Sequence, residues 1–73
     1  MHYKNIGSLK EVRKLKKITQ KEVSLFIGIS ERTYRSKENG LSPFNQYEMI
    51  KLKKFFNLDY EDVVNMFFST RYR

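Results

Sequence analysis

Residues 18–40 read ITQKEVSLFIGISERTYRSKENG, two short amphipathic segments joined at Gly28. Thr19 and Glu22 stand at capping-box spacing, so hydroxyl and carboxylate can each satisfy an orphan backbone N–H at a helix start. Val23 and Ile27 lie four residues apart and share one face of that helix. Gly28 follows where a left-handed residue would end the helix at least steric cost. Ile29 can plug the corner, and Ser30 is a suitable N-cap for a second helix. Ser24 is small enough to let two helix axes approach closely.

Two helices meeting at such a corner form the pattern of a helix-turn-helix, whose second helix can enter the major groove of DNA. At about 100° per residue, Glu31, Arg32, Arg35 and Ser36 fall on one side of that helix. Tyr34 and Glu38 fall on another, turned toward the preceding helices. On an isolated helix the first set would be ordinary solvated residues; behind this corner it becomes a surface for base edges. Arg32 is the sharpest candidate, since its guanidinium fork can donate two bonds to guanine O6 and N7. Glu31 can accept from a cytosine amino group or repel wrong bases, and Arg35 and Ser36 can read further bases or hold phosphate. Gln20, at a helix N-terminus, is placed to clamp a phosphate with its amide and the free backbone N–H groups. Lys21, Ser30 and Lys37 join it as candidate phosphate contacts, with Lys10, Lys14 and Lys17 as further basic positions.

The rest of the chain agrees with a small helical domain. Its 73 residues predict one domain, with a core over about residues 8–68. The net charge is +7, and the first 54 residues hold 13 of the 15 Lys and Arg. That excess points to a polyanionic partner, although solubility alone would also account for it. The chain has no cysteine, which excludes disulfides and thiolate metal sites and fits a reducing, cytoplasmic setting. No apolar run approaches the roughly 20 residues that span a bilayer. His2, the one histidine, reads as a surface residue rather than a ligand. No base–nucleophile pair, metal cluster or phosphate-cradling glycine loop is present, so neither an enzyme nor a cofactor is expected.

Working outward, Ser8 and Glu11 form another capping box, opening a helix that runs to about Lys17. The second and third helices span about 20–27 and 31–39, and Asn39-Gly40 with Pro43 stops the latter. Asn45 and Glu48 open a fourth helix. Tyr47, Ile50 and Phe55 with Met49, Leu52 and Phe56 give it a long apolar face, and Asn57 ends it. Asp59 caps a fifth helix through Val63, Val64, Phe67 and Phe68. No segment alternates with period two, so the fold class is all-α with five helices.

These residues resemble the XRE-type helix-turn-helix family of phage repressors and Cro proteins. The likeness covers about residues 9–64, through LKEVRKLKKITQKEV, GIS, ENG, the later proline and NLDYEDV. It implies a lambda-repressor-like fold and a dimer that binds a pseudo-palindromic operator, usually to repress transcription. It also implies an internal ion pair between Arg13 and Glu38, a phosphate-binding role for Gln20, and base reading at Glu31, Arg32 and Ser36. Some positions depart from the family pattern. Lys37 stands where an apolar side chain normally packs; its stem can cover the core with its ammonium in water, or the helix is shifted. Lys17 replaces a frequent glycine and Lys53 a frequent alanine, and the loop before helix four is one residue longer.

Leu15, Leu25 and Phe26 occupy positions that are commonly polar in that family. They and Met66, Phe67 and Phe68 can form exposed patches for a protein partner, or the tail can fold back over Leu15 and Phe26. A homodimer is expected through the loop after Gly40 and the fifth helix, with Leu41, Phe44 and Tyr60 at the contact. The leading expectation is therefore a small sequence-specific regulator at the nucleoid. The other is an interaction module of the same fold that sequesters another regulator.

Overall fold

The computed structural model describes residues 8–68; His2 and the end of the tail lie outside them. Within that span are five α-helices and no strand: α1 Leu9–Leu15, α2 Gln20–Ile27, α3 Glu31–Glu38, α4 Gln46–Phe56 and α5 Tyr60–Val63. A π-helical turn, Val64–Phe68, continues α5. None of these helices is long and apolar enough to cross a membrane.

Every helix begins on a side-chain cap. Ser8, Thr19, Ser30, Asn45 and Asp59 each accept the N–H of the residue three positions on. Such a cap contributes about 1 kcal/mol over alanine, which matters in helices this short. The boxes at Thr19–Glu22, Asn45–Glu48 and Asp59–Asp62 are reciprocal. At Ser8, the hydroxyl instead donates to the Glu11 carboxylate at 3.2 Å while accepting its N–H.

The helix ends share a second device. At the ends of α1 to α4, the N–H of Ile18, Ile29, Leu41 and Leu58 reaches back five residues, to Arg13, Ser24, Ser36 and Lys53. This closure puts one residue in the left-handed region and an apolar one after it. The left-handed residues are Lys17, Gly28, Gly40 and Asn57, with φ of 58°, 82°, 82° and 55°. Helix α1 therefore stops at Leu15, two residues before the sequence expectation, because Lys17 serves as the left-handed exit. Three of the four apolar residues pack inward: Leu58 is buried, and Ile18 and Ile29 lie against the core. Leu41 is 78% exposed.

The core is Leu9, Val12, Val23, Ile27, Tyr34, Leu52, Phe56 and Leu58. Ser24 is buried beside it, its hydroxyl bonded to the Lys21 carbonyl, where α2 meets its neighbours. The apolar face expected on α4 is narrower than its sequence implied. Glu48, Leu52 and Phe56 share the buried arc, whereas Tyr47 and Ile50 fall on the opposite side and are exposed. The C-terminal segment also differs from a uniform fifth helix. Its change to π spacing re-aims the side chains, so that Met66 and Phe67 pack against the core while Phe68 stays exposed. Leu15, Leu25 and Phe26 remain exposed, with Phe26 resting on Phe55 at a ring separation of 4.6 Å.

Candidate nucleic-acid interface

Helix α3 is anchored by its two inward residues, Tyr34 and Glu38. Arg13 Nε donates to Glu38 Oε2 at 2.8 Å, and a second Arg13 nitrogen reaches Oε1 at 3.2 Å. The Tyr34 hydroxyl donates to Oε2 at 2.7 Å, and Gln20 Nε2 donates to Oε1 at 2.9 Å. The remaining Arg13 nitrogen is spent on the Ile18 carbonyl at 2.9 Å. A carboxylate whose side chain is 0% exposed thus has four donors, and α1, α2 and α3 are locked around one charge.

Burial alone would raise the Glu38 pKa. The hydrogen bonds from Arg13, Gln20 and Tyr34, with the Arg13 charge, hold it below the ordinary carboxylate range. The same contacts raise Arg13, chiefly through its bond to Glu38. Burial pushes the Tyr34 phenol far up, and the bond to Glu38 acts in the same direction.

With Tyr34 and Glu38 inward, Arg32 and Ser36 fall near the middle of the opposite face of α3, and Arg32 is exposed. Arg32 makes no hydrogen bond or ion pair among the described residues, so its whole guanidinium fork is available. Glu31 and Arg35 lie on the flank nearer the start of α2. Arg35 donates to Gln20 Oε1 at 3.2 Å and to Glu31 Oε2 at 3.3 Å. Glu31, Arg32, Arg35 and Ser36 therefore share one surface, bordered by Gln20.

The candidate phosphate contacts divide. Lys21 is exposed beside Gln20. The Ser30 hydroxyl is occupied as the α3 cap, accepting the Thr33 N–H at 3.0 Å and donating to the Thr33 hydroxyl at 2.9 Å. Lys37 is not a surface cation. Its ammonium is held by both oxygens of Glu48, at 2.7 and 2.9 Å, with the two side chains 15% and 8% exposed. A carboxylate on α4 accommodates its ammonium. Burial would raise Glu48, but the bonds from Lys37 and the Asn45 N–H keep its pKa below the ordinary range. Capping-box spacing accounts for Glu48 only as a cap, and helix spacing gives no sign that Lys37, eleven residues earlier, shares it.

Of the expected dimer contacts, Leu41 and Tyr60 are exposed at 78% and 79%. Phe44 turns inward instead, with its ring 5.8 Å from both Tyr34 and Phe67, so it serves the core.

The helix-turn-helix family profile matches this chain over residues 9–63. The chain belongs to the XRE-type helix-turn-helix family. No match was found among curated proteins or among solved structures. As a family member, the protein is a DNA-binding helix-turn-helix regulator, and α2 with α3 is its motif. The exposed face of α3 is the part of that motif expected to meet the major groove.

Proposed function

We propose that the protein is a sequence-specific transcriptional regulator of the phage-repressor or Cro type, binding a pseudo-palindromic operator as a dimer at the nucleoid. The observation that carries this reading is Arg32, exposed on the outer face of α3 with no competing partner among the described residues. Its fork suits guanine O6 and N7. Ser36 and Glu31 flank it, and Lys21 stands at the α2 N-terminus, where a phosphate would complete the backbone contact. The Gln20 amide expected to clamp that phosphate is instead engaged by Glu38 and Arg35.

Dimerisation is supported by a set of exposed apolar side chains in the second half of the described residues. Leu41, Tyr47, Ile50, Tyr60 and Phe68 are 78%, 73%, 54%, 79% and 58% exposed, and all lie on the loop after α3 or beyond it. A two-fold site needs the two α3 helices about 34 Å apart, in successive major grooves, and Leu41 with Tyr60 is the candidate seam between the two copies. Repression then needs only occupancy of a promoter.

Selection from a random DNA library, with the recovered site compared against scrambled DNA, tests the proposal. The expected result is a two-fold site bound about 10³-fold or more above scrambled DNA at physiological salt. Arg32→Ala should lose about 1–3 kcal/mol on that site and relax preference at one base pair. An equal loss on cognate and random DNA would make Arg32 a phosphate contact. A second reading, a module that sequesters another regulator, is favoured by Leu15, Leu25 and Phe26, exposed at 55%, 71% and 48%. DNA binding that is weak, indifferent to sequence and abolished by salt would select it.

A further inference from the structure

Gln20 connects the buried ion pair to the outer face of α3, and its amide has a defined polarity. Glu38 is ionised and acts only as an acceptor, so the Gln20 NH2 group must face it. The amide oxygen is thereby turned outward, where it accepts the Arg35 Nε–H at 3.2 Å. With Nε held, the far end of the guanidinium reaches Glu31 Oε2 at 3.3 Å, one turn back along α3. The chain of contacts runs Arg13–Glu38–Gln20–Arg35–Glu31, from the core to the first residue of α3.

We infer that Arg35 is a positioning residue, held by Gln20, that orients Glu31 to accept the amino group of a cytosine next to the guanine read by Arg32. This rests on the proposed reading of α3 as the base-reading helix. Three features carry it. Two protein acceptors already engage Arg35, whereas Arg32 has none among the described residues. Glu31 keeps Oε1 free of any hydrogen bond among the described residues, while Oε2 accepts from Arg35. An unpaired carboxylate would also be repelled by the phosphates lining the groove; the adjacent guanidinium offsets that charge and leaves one oxygen for the base. Cytosine N4–H2 is the major-groove donor that suits such an oxygen.

The test measures binding of the wild type, Glu31→Gln, Arg35→Met and the double variant to the selected operator. Each protein is also measured on operators substituted at every position, over a range of salt. Arg35→Met should weaken operator binding about tenfold and lose preference at the same base pair as Glu31→Gln. The double variant should bind no more weakly than either single one. Loss of preference at a different base pair would overturn the inference by making Arg35 a direct reader. An equal loss on all sequences, with the salt slope reduced by about one, would overturn it by making Arg35 a phosphate contact. Arg35→Lys, which keeps the charge but loses the two-way fork, should resemble Arg35→Met; full activity in the lysine variant would show that charge alone suffices and reject positioning. If the wild type has no base preference at any position, the base-reading proposal itself fails. Preference that survives in Arg35→Met rejects only the positioning role.

Discussion

Lys37 and Glu38 are neighbours on α3, yet each closes a different half of the molecule. Glu38 points back to α1 and α2, where Arg13 and Gln20 donate to it, joined by Tyr34 from its own helix. Lys37 points forward to α4, where Glu48 takes its ammonium and caps the helix with the same carboxylate. The first pair is a bidentate guanidinium–carboxylate match with its remaining capacity satisfied; the second is a point charge on a flexible stem. Removing one partner should therefore cost more at Glu38 than at Glu48, and only the second pair should be replaceable by apolar packing.

Several substitutions and conditions would break or sharpen that contrast. The largest effect is expected for Arg13→Met, which leaves a buried carboxylate short of its cation. It should lose about 3–5 kcal/mol, enough to leave a domain of this size marginal or unfolded in a urea titration. Lys37→Met should cost about 2 kcal/mol, because Glu48 keeps its bond from the Asn45 N–H at 2.9 Å. Adding Glu48→Gln should restore the Lys37→Met variant to within about 1 kcal/mol of wild type. A double variant as unstable as the single one would mean that the Lys37–Glu48 pair, too, resists removal of its charges.

Acid should separate the two pairs further. Both Glu38 and Glu48 have folded pKa values below the ordinary 4.5, so each contributes stability that is present above that value. That stability is lost as pH falls, because the unfolded chain takes up protons first. Thermal melts from pH 6 downward should thus decline, and the Lys37→Met/Glu48→Gln variant should decline less steeply than wild type. Tyr34 works at the other end of the scale. Its pKa is raised above 10.0, so stability should fall as pH rises past that value and the unfolded phenol ionises. Tyr34→Phe should flatten that alkaline loss.

The smallest effect is expected at the α1 exit. Lys17 holds a φ of 58°, a region that disfavours any side chain with a Cβ. Lys17→Gly should gain about 0.5–1 kcal/mol, the left-handed strain being partly offset by a more flexible unfolded chain. Operator affinity would report whether the lost charge also serves DNA.

The sequence by itself determined the helices and their order. Caps, glycine exits and four-residue apolar spacing act within one or two turns, so Thr19, Gly28, Ser30 and Asn45 could be assigned before any contact was known. Helix rotation also placed Arg32 outward and Tyr34 inward, since a helix has one period. The Arg13–Glu38 pairing came from family resemblance rather than from spacing. Tertiary structure alone decided what depends on a partner far along the chain. It joined Lys37 to Glu48, turned Phe44 toward Tyr34 and Phe67, and widened the last turn so that Met66 and Phe67 met the core. It also gave the Gln20 amide its orientation between Glu38 and Arg35. Local periodicity constrains where a side chain can point, but which charge or ring it meets is set by how the helices pack.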